Sequence, residues 1–235
     1  PNSVTSIGDF AFYGCENLVL DSVTDTPIIN SVFYWCRNCH AITTINNLDN
    51  WDFSNCINLG YLFYNLDNFN QNLNNVDFLD LGSSFTVFGC DRFNNGSQTD
   101  DGLNPVDWNI KLGSYSFSGA RAFNQNVDNV KFGTNLFRLF QTAVLFNAPL
   151  TLDTDGLSIT NAEDMFYGAK VFNQRVNSLN LASCTTTKEM FLGAFLFNNG
   201  LAAGDGGIIE WTTNSLTDTS FMFNGAGSFN CELPN

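Results

Sequence analysis

MFYGAKVFNQRVNSLNL, residues 165–181, holds two phenylalanines six positions apart and an asparagine directly after the second. Apolar residues follow at four, seven and nine places beyond that second Phe. The pattern returns on both sides: LFYNLDNFN (62–70), FSGARAFN (117–124), LFQTAVLFN (139–147), MFLGAFLFN (190–198) and MFNGAGSFN (222–230). VFGCDRFN (87–94) reads as the same unit one residue short. In AFYGCENL (11–18) and VFYWCRNC (32–39), Leu18 and Cys39 stand for the second Phe. The first phenylalanines are then Phe12, Phe33, Phe63, Phe88, Phe117, Phe140, Phe166, Phe191 and Phe223, nine units at intervals of 21 to 32 residues.

A period of that length belongs to solenoids, in which one coil cannot bury its apolar side alone and must stack on its neighbours. FNQNLNNVDF (69–78), FNQNVDNVKF (123–132) and FNQRVNSLNL (172–181) share apolar offsets 0, 4, 7 and 9. The last two positions differ by two, the alternation of a strand; VDW (106–108), LSI (157–159) and IEW (209–211) supply the same pair in other coils. The expected fold is a β-rich solenoid of about nine coils with short parallel strands, rising about 4.8 Å per coil, roughly 40 Å in all. Phe63, Phe117, Phe140, Phe166, Phe191 and Phe223 form its inner column. Asn70, Asn94, Asn124, Asn147, Asn173, Asn198 and Asn230 form a ladder at the turns, where an amide side chain satisfies backbone groups that no strand reaches.

VTSIGDFAFYGCENL (4–18) resembles the leucine-rich repeat of BspA-like surface proteins. WDFSNCINLGYLFYNLDNFNQNL (51–73) is similar to the related repeat of mycoplasma surface lipoproteins, although Leu62 and Val87 replace a usual Met. The resemblance implies a right-handed leucine-rich-repeat-type coil stack used for adhesion or assembly at a cell surface, with no catalytic residues to transfer. One repeat domain over 1–235 is expected, BspA-like over 1–50 and of the Phe-Asn-Gln type over 51–235, as a segment of a longer array.

Other motifs yield to the repeat. Cys36-Arg-Asn-Cys39-His40 has the spacing of a c-type haem attachment, but the alignment sets Cys36 over Cys15 and Cys39 over Leu18, both inward positions where cysteine acts as a small hydrophobe. His40 is the only histidine, which leaves a haem iron or a nucleophilic triad short of partners. No second C-x-x-C completes a zinc site. A disulfide between Cys15 and Cys36, in neighbouring coils, competes with two ordinary thiols. DTDGLSITNAED (153–164) lacks the glycine and the fifth ligand of a calcium loop. No cofactor and no enzymatic activity are expected.

The outward members of the strand pairs are Asp52, Asp77, Asp107, Lys131, Ser158, Asn180 and Glu210. Stacked acids repel unless a cation or basic partner sits among them, so calcium at Asp52, Asp77 and Asp107 competes with simple solvation of that face. Asn95-Gly96-Ser97 is a glycosylation sequon in an insertion, Asn94–Pro105; a second insertion spans Asn198–Gly207. The chain carries 23 acids against nine bases, and residues 1–91 hold ten acids and one base, Arg37. Nucleic acid is thereby excluded as a partner, while cationic or basic surfaces fit. No apolar run is long enough to span a membrane. The expected role is an extracellular or cell-surface scaffold for protein–protein contact, or alternatively a filament or coat subunit stacking copies of itself end to end.

Overall fold

The computed structural model describes residues 6–20, 28–29, 33–56, 59–78, 85–99 and 104–233. Besides turns within each coil, its backbone hydrogen bonds run between residues one repeat apart. The amide of Phe117 donates to Leu139 (2.9 Å), that of Phe140 to Met165 (2.9 Å), that of Phe166 to Met190 (2.9 Å) and that of Phe191 to Met222 (2.9 Å). In each case the acceptor directly precedes the next phenylalanine, so these residues are successive rungs. Two places after the rung the bond recurs, from Gly119 to Gln141, Thr142 to Tyr167, Gly168 to Leu192 and Gly193 to Asn224.

The same bonds correct the alignment of two coils. Phe12 donates to Trp35 (2.9 Å) and Gly14 to Arg37 (2.9 Å), which makes Cys36, and not Phe33, the second rung. Asn65 donates to Phe88 (2.7 Å) and Val87 to Ser116 (2.9 Å), so the fourth rung is Val87, and not Phe88. With these changes every rung has an apolar partner six residues on: Leu18, Ile42, Phe69, Phe93, Phe123, Phe146, Phe172, Phe197 and Phe229. The unit at 87–94 lacks nothing. Aromatics from elsewhere fill the space that Cys36 and Val87 leave. Trp35 meets Phe12 and Trp51 edge-on (5.4 and 5.1 Å), and Trp108 lies 5.8 Å from Phe117.

From Phe117 onward the rings form two parallel columns. Rung centroids are 5.4, 5.7, 5.4 and 5.6 Å apart along Phe117, Phe140, Phe166, Phe191 and Phe223. The second column, Phe123 to Phe229, repeats at 5.8 or 5.9 Å. Within a coil the two rings lie 4.0 Å apart at Phe140–Phe146 and at Phe166–Phe172. Offset stacking of this kind is favourable beyond the area it buries.

Extended structure is scarcer than the alternation suggests. Among the described residues the strands are two residues long and pair in parallel: β1 (Ser6–Ile7) with β2 (Ile28–Ile29), β3 (Lys111–Leu112) with β4 (Lys131–Phe132), and β5 (Gly207–Ile208) with β6 (Cys231–Glu232). VDW, LSI and IEW lie outside them, each keeping one cross-coil backbone–backbone bond: Val106 to Asn126, Ile159 to Asn180 and Ile209 to Glu232. Leu157 is 57% exposed and is not a core residue. The rung segment is not a strand either. Tyr34, Tyr61, Tyr115, Arg138, Asp164, Glu189 and Phe221, two places before a rung, have φ of 51–64°, and the residue two places after is again left-handed. A chain that enters αL twice in five residues cannot run as a ladder strand.

Glycine or asparagine fills the second left-handed position in every coil but one, as sterics require. The exception is Thr142, at φ 55°, where a β-branched side chain is an outlier. Thr142→Gly should therefore raise stability by about 1 kcal/mol, the αL penalty less the added chain entropy. Urea denaturation measures this, and a lowered midpoint would contradict it. The opposite change is costly at Gly119, since a Cβ there would lie 2.9 Å from the Gly89 backbone.

Candidate functional site

In most coils the left-handed residue two places before the rung and the residue just after the rung reach the surface of the stack. In the first five coils these are mostly aromatic. Phe10 and Tyr13 are exposed, while Tyr34, Tyr61, Tyr64, Phe88 and Tyr115 are half-buried. Their rings touch in an unbroken series. Phe10 meets Tyr34 at 5.7 Å, Tyr34 stacks on Tyr61 at 4.7 Å, Tyr61 meets Tyr64 at 5.5 Å, Tyr64 stacks on Phe88 at 4.6 Å, and Phe88 meets Tyr115 at 5.8 Å. Arg37 lies over this strip, its guanidinium 4.7 Å from the Tyr34 centroid and 4.5 Å from that of Tyr64. Burial, and then the phenols of Tyr34, Tyr115 and Tyr64, push the Tyr61 hydroxyl above its ordinary pKa, so it stays neutral near pH 7.

At the sixth coil the strip becomes ionic. Arg138 covers the Phe137 ring at 4.6 Å and donates through Nε to Asp164 (2.9 Å), and Lys188 pairs with Glu163 (3.2 Å) and Glu189 (3.7 Å). One side of the stack is therefore aromatic over coils one to five and charged over coils six to eight. Exposed Tyr, Phe and Arg in contact are the composition of binding hot spots. The strip escaped the sequence reading because Phe33 and Phe88 were aligned as rungs, which hid the recurrence of Tyr34, Tyr61 and Tyr115 two places before one.

The residues singled out by sequence fall elsewhere. The seven ladder asparagines line one edge, each backbone amide after the first donating to the side-chain oxygen of the one before: Asn94 to Asn70 (2.9 Å), Asn124 to Asn94 (2.8 Å), and Asn147, Asn173, Asn198 and Asn230 in turn (2.7–2.8 Å). Asp52 accepts from the Ser54 amide (2.8 Å), and its hydrogen bonds to Ser54 hold its carboxyl below the usual range. Asp77 accepts from Asn109 Nδ2 (2.6 Å). Among the described residues no three Asp, Glu, His or Cys side chains are grouped closely enough to hold a metal, so the structure does not gather Asp52, Asp77 and Asp107 as calcium ligands. Lys131, next in that column, pairs with Asp153 and Asp155, and Lys111 reaches Asp155 at 3.0 Å. The acids of the 153–164 loop are thus held by lysines, whose hydrogen bonds lower both carboxyl pKa values.

Asn95 must be corrected. Its side chain is fully buried, accepting from the Leu73 amide (3.0 Å) and donating to Asn74 Oδ1 (3.0 Å), so no glycan can be carried there in the folded chain. Asn199 does the same work four coils on, accepting from Val176 (2.9 Å) and donating to Asn177 (2.7 Å). Both insertions begin Asn-Asn-Gly and are tied down by the first asparagine: Asn94 donates to Thr99 O (3.0 Å), and Asn198 to Ala202 O (2.7 Å) and Asp205 O (3.0 Å). Residues 100–103 of the first insertion lie outside the described residues.

The Cys15–Cys36 bridge is not formed: both thiols are free, Cys15 exposed and Cys36 buried. As a rung, Cys36 sits three residues ahead of the position over Cys15, which Cys39 occupies. Cys36 Sγ instead donates to Leu62 O (3.2 Å), and Cys39 Sγ to Phe12 O (2.9 Å). Burial raises both thiol pKa values. His40 Nδ1 lies 3.0 Å from Asp67. A thiol reagent should react first with Cys15, then with Cys231, and with the other five of the seven cysteines only on unfolding. Rapid labelling of Cys36 or Cys39, read by mass spectrometry, would contradict this register.

Among the described residues no helix is long and apolar enough to cross a membrane. A family model described as "Mycoplasma protein of unknown function, DUF285" matches residues 27–134, 107–204 and 153–235, overlapping as an internally repeated chain must. No curated protein and no solved structure matches.

Proposed function

We propose, from the premise that this chain belongs to the DUF285 family, that it is a non-enzymatic repeat scaffold outside the cell, made for adhesion and protein–protein contact. Its architecture is a right-handed leucine-rich-repeat-type solenoid of about nine coils, BspA-like over residues 1–50. The observation that carries the role is the aromatic strip of Phe10, Tyr34, Tyr61, Tyr64, Phe88 and Tyr115, held half-exposed on a rigid stack. Surface aromatics in continuous contact lose little conformational entropy on docking, which is why such residues dominate protein interfaces. Neither the asparagine edge nor the lysine–aspartate cluster has comparable apolar area to offer.

Flow cytometry of the fluorescently labelled chain on intact eukaryotic cells tests this. Saturable binding is expected, lost after protease treatment of the cells and lost with a Tyr34→Ser/Tyr61→Ser variant that keeps the wild-type melting temperature. No binding, or binding indifferent to the strip, would overturn the proposal.

A further inference from the structure

Resting on that reading, we infer that the strip docks an arginine-bearing basic segment of its partner, whose guanidinium groups lie on the tyrosine and phenylalanine faces. The strip already shows the chemistry. Arg37 is the only base among residues 1–91, against ten acids, and its guanidinium is held between Tyr34 and Tyr64 at 4.7 and 4.5 Å. Arg138, two places before its rung where Arg37 is one place after, lies at the far end, 4.6 Å from Phe137 and 5.8 Å from Tyr115. Between these two cations run Tyr61, Tyr64, Phe88 and Tyr115. Arg37 and Arg138 belong to the second and sixth coils, about 19 Å apart at strand spacing. An extended segment of about six residues covers that distance.

Charge selects the occupant. The first 91 residues have a net charge of −9, so a neutral apolar peptide gains nothing from the field, whereas a cation is drawn in and then held by the ring quadrupoles. Arginine suits the rings better than lysine, since its planar, weakly hydrated head stacks flat on an aromatic face.

The test is calorimetric titration of the full chain with three nine-residue probes: polyarginine, polylysine and the neutral citrulline isostere. Polyarginine is expected to bind, polylysine at least threefold more weakly, and the citrulline peptide not measurably. Tyr61→Leu/Phe88→Leu should weaken the arginine peptide about tenfold without lowering the melting temperature. Arg37→Gln should tighten it about threefold by vacating a ring site, whereas Arg92→Gln, the same charge change outside the strip, should not match that gain. Equal affinity of the wild type and the leucine variant, equal gains from the two glutamine variants, or no binding of polyarginine would each overturn the inference. Cell binding that needs Tyr34 and Tyr61 but is not competed by polyarginine would overturn it too, while leaving the adhesion reading intact. Cell binding that ignores those tyrosines would remove that reading, and the inference with it.

Discussion

Phe166→Ala is expected to cost about 3–5 kcal/mol, the range for emptying a buried aromatic site. The ring has no exposed surface. It lies between Phe140 at 5.7 Å and Phe191 at 5.4 Å, and beside Phe172 at 4.0 Å. Phe140 and Phe191 are each tied by a backbone bond to the following coil, at Met165 and Met222, so the cavity cannot collapse without disturbing the ladder that Phe166 itself continues to Met190. Stability in a stack is a sum of coil terms and nearest-neighbour terms, and this change removes two neighbour terms at once. Urea denaturation followed by hydrogen exchange should therefore show the array separating at the seventh coil, with coils eight and nine exchanging before coils four to six. A loss under 1 kcal/mol, with protection unchanged on both sides, would show that the phenylalanine column is not what couples the coils.

Asn198→Leu should cost about 2–4 kcal/mol, since each buried polar group left without a partner costs roughly 1–3 kcal/mol. The Asn198 side chain is fully buried, and its oxygen accepts from the Asn230 amide (2.8 Å). Its nitrogen donates to Ala202 O (2.7 Å) and Asp205 O (3.0 Å), which fastens the second insertion to the ladder. Leucine matches the size and supplies none of these bonds. The Asn230 amide should exchange at least tenfold faster in the variant. Asn230→Leu is the control, because that residue is exposed and its side chain donates a single bond, to Gly204 O (3.1 Å). Similar losses for the two variants would show that burial of the ladder does not set its strength.

Much of the stack could be read from the chain, and the errors have one origin. Aligning phenylalanine with phenylalanine works from Phe117 onward, where every coil uses Phe at both positions. It fails where the rung is Cys36 or Val87, because packing asks only for an apolar side chain of tolerable size, while the rung itself is defined by the left-handed residues around it. Phe33 and Phe88 are the tempting substitutes, but both lie off the core, Phe88 within the aromatic strip and Phe33 beside it. Asn95 failed differently. A polar residue in an insertion reads as solvent-facing, but a left-handed asparagine whose amide side chain can bind Leu73 and Asn74 is drawn inward. The acids Asp52, Asp77 and Asp107 do face outward, but Asp52 accepts from its neighbour Ser54, Asp77 accepts from Asn109 in another coil, and the three do not converge.

By itself the sequence determined that this chain repeats, which residues are buried in most coils, and that asparagine would recur at a turn, because burial and turn chemistry act over a few neighbouring residues. Only the tertiary structure decided which of several apolar residues becomes the rung, which asparagines turn inward, and that aromatics two places before the rung meet as one surface. Those choices depend on hydrogen bonds and ring contacts between residues a whole coil apart, whose partners exist only once one coil lies on the next.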